Sequence, residues 1–265
     1  MSNAPQAEVR RIGEGLPLVM VHGNGVDHRL LLPLEAALDI DGLERLYFDL
    51  PGFGQTPALP EPGGLPELAE WLVGHVRGLV GDQPFALLGN SLGGLLVRHL
   101  RAQFPGQVCG IAMLAPVVDP VEEHRRQPEF RVLERDDALL SSLDEDDREA
   151  FTEMAARQTR PGWEIFSEFI IPGIRSGDSD AFDRLGERYV LPDPDQAAGP
   201  FEGPALIVTG RQDHIVGYED QFALLERYPN ATYAALHSCG HNVHVDQPEL
   251  TRELVRSWAH SLLAD

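Results

Sequence analysis

Residues 84–94, Pro-Phe-Ala-Leu-Leu-Gly-Asn-Ser-Leu-Gly-Gly, constrain the fold more than any other stretch of the chain. Phe85 to Leu88 is a short apolar run that fits a buried strand. From Leu92 a helix-compatible pattern begins, with Leu95, Leu96, Val97 and Leu100 at helical spacing. Gly89 to Gly93 fits G-x-S-x-G, a sharp strand-to-helix turn that holds Ser91 at its apex in a strained conformation. The flanking glycines let strand and helix approach closely. The Ser91 hydroxyl is left exposed, and the N–H of Leu92 points into the same space at a helix N-terminus, where negative charge is favoured.

Strand and helix patterns alternate on both sides of this turn. Leu16–Val21 is an apolar run ending at His22-Gly23-Asn24-Gly25, followed by a predicted helix from Val26 to Leu38. Arg45–Leu50 reads as the next strand, closed by the turn 51–54. Leu65 to Val80 carries an amphipathic helix pattern, and Val108–Leu114 is a further strand. Residues 8–14 read as a frayed strand or edge hairpin. The alternation implies βαβ units and a parallel sheet. Between about 120 and 200 helical patterns occur without a buried strand. There Ser142 and Glu145 are spaced as a capping box before an acidic first turn, 144–147, which reads as a solvated helix start rather than a metal site. Trp163, Phe166, Phe169, Ile170 and Ile171 cluster in the same segment, either as packing or as pocket lining. The alternation resumes with strands at 205–209 and 232–237, a helix at about 219–227, and a last helix from Pro248.

The formal net charge of −21 excludes nucleic acid and anionic membrane as partners, because phosphate binding needs clustered positive charge. No apolar run is long enough to span a bilayer. The first ten residues lack a basic head followed by an apolar stretch, so no secretory leader is expected and the location expected is cytoplasmic. The chain contains no lysine, which excludes Schiff-base, pyridoxal and P-loop lysine chemistry. Cys109 and Cys239 have no metal-ligand spacing and read as buried free thiols on strands.

Three polar residues follow the ends of three predicted strands: Ser91, Asp213 and His241. A serine hydroxyl needs a base, a histidine titrates near neutrality, and a carboxylate can fix the tautomer of that histidine. The chain order Ser…Asp…His is one in which this set recurs. At this point the sequence resembles the α/β-hydrolase fold family. The matching pieces are His22-Gly23-Asn24-Gly25, Asp49-Leu50-Pro51-Gly52-Phe53-Gly54, Gly89 to Gly94, Gly210-Arg211-Gln212-Asp213-His214 and Gly240-His241.

That resemblance implies an α/β fold with a mostly parallel central sheet of about eight strands flanked by helices. Residues 1–118 and 201–265 would form the core, and 119–200 a helical cap. It implies Ser91 as nucleophile, His241 as base, Asp213 as acid, and an oxyanion hole from the N–H groups of Leu92 and Asn24. No metal or cofactor is expected, and the partner is a small-molecule substrate. His244 rivals His241, and Asp119 rivals Asp213, but the Gly-His and Gly-Arg-Gln-Asp-His contexts favour the latter of each pair. His22 reads as a brace for the oxyanion loop and Asp49 as a turn-former. His28, Asn90, Trp163 and Phe166 are candidate substrate contacts. The function expected is hydrolysis of a small to medium, largely apolar carboxylic ester through an acyl-enzyme. Carbon–carbon bond hydrolysis of ring-fission products is an alternative suggested by Asn90. Asn242, where that group carries Trp, makes the likeness partial. A slow small-molecule receptor on the same fold is the other alternative.

Overall fold

The computed structural model describes residues 4–264; Met1–Asn3, part of the stretch read for a leader, and Asp265 lie outside it. In chain order the elements are β1 (Val9–Ile12), β2 (Gly15–Val21), a 3₁₀ helix (His28–Leu34), α1 (Glu35–Leu38), β3 (Gly42–Phe48), α2 (Leu65–Val80), β4 (Phe85–Asn90), α3 (Leu92–Gln103) and β5 (Val108–Leu114). A 3₁₀ turn (Glu122–His124), β6 (Glu134–Arg135), α4 (Asp137–Ser142), α5 (Glu145–Met154), β7 (Arg157–Gln158), α6 (Arg160–Phe169), α7 (Ile171–Ser176), α8 (Ser179–Glu187) and α9 (Asp195–Ala198) follow. The chain ends with β8 (Ala205–Gly210), α10 (Glu219–Ala223), a 3₁₀ turn (Leu224–Glu226), β9 (Ala231–Leu236), α11 (Val243–Asp246) and α12 (Pro248–Leu262).

Among the described residues the main sheet has seven strands in the order β1-β3-β2-β4-β5-β8-β9, one fewer than the resemblance implies. The N-terminal segment contributes only the four-residue edge strand β1, the one antiparallel member, paired with β3. All other neighbours are parallel. Alternate residues of the central strands enter opposite layers. Val19, Val21, Leu87, Ile111, Met113 and Ile207 pack under α2 and α3, while Leu18, Met20, Leu88, Ala112, Leu114 and Val208 pack toward α1 and α12. Both faces being covered explains why these strands read as continuous apolar runs. Each such Leu, Ile or Val, fully buried, contributes about 1.5–3 kcal/mol.

Several local expectations are corrected. The single helix expected over 26–38 is a 3₁₀ helix containing Pro33 followed by one α turn. Its entry is fixed at Asp27, whose carboxylate accepts from the N–H of Arg29 at 3.0 Å. The helix expected at 219–227 likewise ends as α helix at Ala223 and finishes as a 3₁₀ turn. Ser142 does not cap α5. It closes α4, donating to the Leu139 carbonyl at 2.6 Å, and Asp144 caps α5 by accepting from the N–H of Asp147 at 2.9 Å. Cys239 is buried but lies beyond the end of β9, and both thiols are free. Between β5 and β8, among the described residues, the strands are only the two-residue pair β6–β7. A third apolar cluster joins this inserted segment, through Leu139, Phe151, Phe166 and Ile170, to Val26, Leu30 and Val245. No helix of the described residues is long and apolar enough to cross a membrane.

Candidate active site

Four loops leave the carboxyl ends of β2, β4, β8 and β9, and the register aligns those ends: Val21 beside Gly89, Asn90 beside Leu114, Leu114 beside Val208, Gly210 beside Leu236. Ligands of open parallel sheets bind at that edge. At the end of β4, Ser91 adopts φ 54°, ψ −117°, a left-handed conformation that costs a non-glycine residue on the order of 1–3 kcal/mol. Hydrogen bonds hold it there. Its N–H donates to the Leu114 carbonyl, and its own carbonyl accepts from Val117, each at 3.0 Å. The glycines around it are required by space. A Cβ on Gly93 would stand 2.0 Å from the Val21 carbonyl oxygen, and one on Gly89 2.2 Å from that of Gly93.

His241 is buried on the loop after β9, and its Nδ1 lies 2.9 Å from Oδ2 of the fully buried Asp213. The other Asp213 oxygen accepts from the N–H groups of Ile215 (2.9 Å) and Val216 (3.0 Å). A carboxylate can only accept, so Nδ1 carries the hydrogen and Nε2 keeps the basic lone pair. Ser91 and His241 line one pocket of about 360 Å³, together with Gly23, Asn24, Asn90 and Asn242. This arrangement puts a hydroxyl, an imidazole with a free basic nitrogen and a helix N-terminus in one recess, the parts that nucleophilic acyl transfer requires.

The remaining sequence candidates divide. Asn24 lines the pocket, with its side-chain oxygen buried and without a hydrogen-bond partner among the described residues. Leu92 is fully buried as the first residue of α3. Asn90 also lines the pocket, and its amide donates to the Leu114 carbonyl at 3.1 Å. Phe166 of α6 and Ile170 just after it line it, whereas Trp163 is not among the lining residues and packs edge-on to Phe151 with ring centroids 5.4 Å apart. His28 is not among the lining residues. Its Nδ1 is held 2.7 Å from Asp49, which also accepts from the backbone of His28 and Gln55 and so ties the 51–54 turn. Burial pushes the Asp49 carboxyl up, but the His28 hydrogen bonds outweigh this and hold it below its ordinary range.

His22 is locked from both sides. The Leu50 N–H can only donate, so Nε2 accepts at 2.9 Å and Nδ1 donates to the Gly23 carbonyl at 2.7 Å. Burial lowers its pKa, which keeps the ring neutral and bracing the loop before Asn24. Asp119 accepts from Val121 and His124, away from His241. His244 is buried, and neither ring nitrogen has a partner among the described residues. Sequence reasoning missed Glu153 and Met154 of α5, Ile174 of α7, Phe182 of α8 and Ile215 as lining residues. The signal for α5 was the i, i+4 spacing of Ala150 and Met154 on an otherwise acidic helix.

The sequence model of the α/β hydrolase fold matches residues 17–248. The chain is 24% identical over 267 residues to (E)-2-((N-methylformamido)methylene)succinate hydrolase of Acinetobacter baylyi, covering 97% of this chain and 95% of that protein. A match of 34% over 107 residues to pimeloyl-[acyl-carrier protein] methyl ester esterase of Shewanella woodyi covers 40% of this chain and 38% of that one. Such matches above 30% identity span less than half of the relatives' own length. Among solved structures, an alpha/beta superfamily hydrolase from Oenococcus oeni PSU-1 superposes with a TM-score of 0.88 at 24% identity, over 97% of both chains, a likeness of fold. The chain belongs to the α/β hydrolase fold family.

Proposed function

We propose that this protein is a serine hydrolase that cleaves small to medium, largely apolar carboxylic esters through an acyl-enzyme. The observation that carries this reading is the 2.9 Å contact between His241 and Asp213, opening with Ser91 onto one largely apolar pocket. Ser91 Oγ attacks the ester carbonyl while His241 Nε2 takes its proton, and Asp213 stabilises the imidazolium. The carbonyl oxygen becomes an oxyanion facing the N–H groups of Leu92 and Asn24. The tetrahedral intermediate collapses, and the alcohol leaves with the proton from His241. A water activated by the same nitrogen then releases the acid and regenerates Ser91. Residues 119–200 serve as the cap: Phe166, Ile170 and Met154 supply apolar lining that favours hydrocarbon over water.

A burst of 4-nitrophenol from short-chain acyl esters, followed by slower turnover, is the expected kinetic signature. Ser91→Ala should remove the burst and lower kcat by about 10⁴- to 10⁶-fold with the fold intact. Tight ligand binding with no turnover, equal in wild type and Ser91→Ala, would instead identify a receptor.

A further inference from the structure

The charge pattern of the pocket is one-sided. No arginine is among its lining residues, and the chain has no lysine. Its single carboxylate is Glu153 near the C-terminal end of α5, an exposed side chain. On the same helix Asp147 is neutralised by Arg175 at 2.6 Å; Glu153 has no ion-pair partner among the described residues. The nearby His214 does not cancel its charge. Burial pushes the His214 pKa down, so that ring is neutral at pH 7. Phe182 of α8 also lines the pocket with 45% of its surface exposed, an aromatic side chain of the kind that attracts cations. The net charge of −21 adds a negative field over the molecule that draws cations and repels anions on approach.

We propose that Glu153 selects substrates by charge: the pocket takes esters bearing an alkylammonium group, accepts neutral ones less well, and excludes those carrying a carboxylate. This deepens the hydrolase reading and rests on it. A ring-fission dienoate or a methylenesuccinate would bring its carboxylate into a pocket that has no cation to receive it, which also argues against the carbon–carbon hydrolase alternative.

The test uses matched esters on the full chain. One set is 4-nitrophenyl esters whose acyl chains end in trimethylammonium, tert-butyl or carboxylate. A second pair, acetylcholine and its neutral isostere 3,3-dimethylbutyl acetate, places the charge on the alcohol side. At low salt, kcat/KM for the ammonium ester should exceed that of its neutral isostere by roughly 3- to 100-fold in at least one set, the span a single charge pair some 6 Å apart gives between solvent and protein dielectric. The carboxylate ester should be the poorest. Glu153→Gln should lower the ammonium-to-neutral ratio to the part that the remaining negative field of the molecule supplies, and about 1 M salt should reduce it in wild type. Hydrolysis that depends on Ser91 but shows less than about a twofold ammonium preference in both sets, or a preference unchanged in Glu153→Gln, overturns this inference and leaves the hydrolase reading standing. If no ester is cleaved and a serine-directed phosphonate leaves Ser91 unlabelled, the hydrolase reading falls and this inference with it.

Discussion

Asp213 divides its two oxygens between different partners, and that division dictates what an amide in its place would do. Oδ1 takes the N–H groups of Ile215 and Val216, both pure donors, so an asparagine would have to keep its oxygen on that side. Its NH₂ would then face His241 Nδ1 at the position where Oδ2 now lies 2.9 Å away. A donor there forces the ring into the other tautomer, with the hydrogen on Nε2 and no lone pair for the Ser91 proton. Asp213→Asn is therefore expected to lower kcat by roughly 10⁴-fold. Thermal unfolding should change little, because both backbone bonds survive. Steady-state kinetics beside a melting curve check this, and a loss of under about 100-fold would remove Asp213 from the proposed triad.

At the scale of elements, α3 is anchored at more than its N-terminal turn. Arg98, almost fully buried, donates to Asp195 at 2.7 Å and to Asp193 at 2.8 Å, and reaches the Val117 and Val118 carbonyls. Arg101 on the next turn reaches Asp195 and the Gly199 carbonyl, and the Tyr228 hydroxyl donates to the same carboxylate at 2.8 Å. The helix carrying Leu92 is thus tied to the segment that returns the chain from the insertion to β8. Asp195→Ala leaves two guanidinium groups buried against one remaining, partly exposed carboxylate. It should cost about 3–5 kcal/mol in urea unfolding, since the uncompensated charge matters more than the lost attraction. Loss of less than about 1 kcal/mol would mean that water takes the place of the carboxylate. None of this network was legible in the sequence, because Arg98 and Asp195 are far apart along the chain and each reads as a surface charge. The strands were legible, since burial on both faces leaves unbroken apolar runs such as Leu18–Val21. The four-residue β1 was legible only as a frayed strand or edge hairpin over 8–14, and the pocket face of α5 was not legible. A short edge strand and an acidic helix with two apolar lining residues give weak periodic signals.

The site loops were readable because local geometry restricts residue type: only glycine fits at Gly93, so the motif survives in one dimension. The contacts of the helical segment 119–200 with Val26, Leu30 and Val245 were not, since they join distant parts of the chain. The whole molecule also carries a pH response that no motif announces. Burial lowers the pKa of His22, His99, His214 and His244, the last to about 4. In the unfolded chain these rings bind protons below about 6.5, whereas the folded protein keeps them neutral. Their stabilisation is therefore complete above that pH and is lost as pH falls toward each folded-state value. Asp246, pushed up by burial to about 6, works in the opposite sense, its contribution being lost as pH rises through that value. Acidification also relieves the repulsion of a −21 chain. His244 isolates the effect of the rings, because its ring nitrogens make no hydrogen bond of ordinary geometry among the described residues and only the nearby Leu30 backbone opposes the effect of burial, so an apolar replacement forfeits little hydrogen bonding. Measured by urea unfolding at pH 7.5 and pH 4.5, wild type should lose about 2–3 kcal/mol more than His244→Leu over that interval. Equal losses in the two proteins would show that the ring is protonated in the folded state, and that water or a shifted backbone carbonyl reaches it.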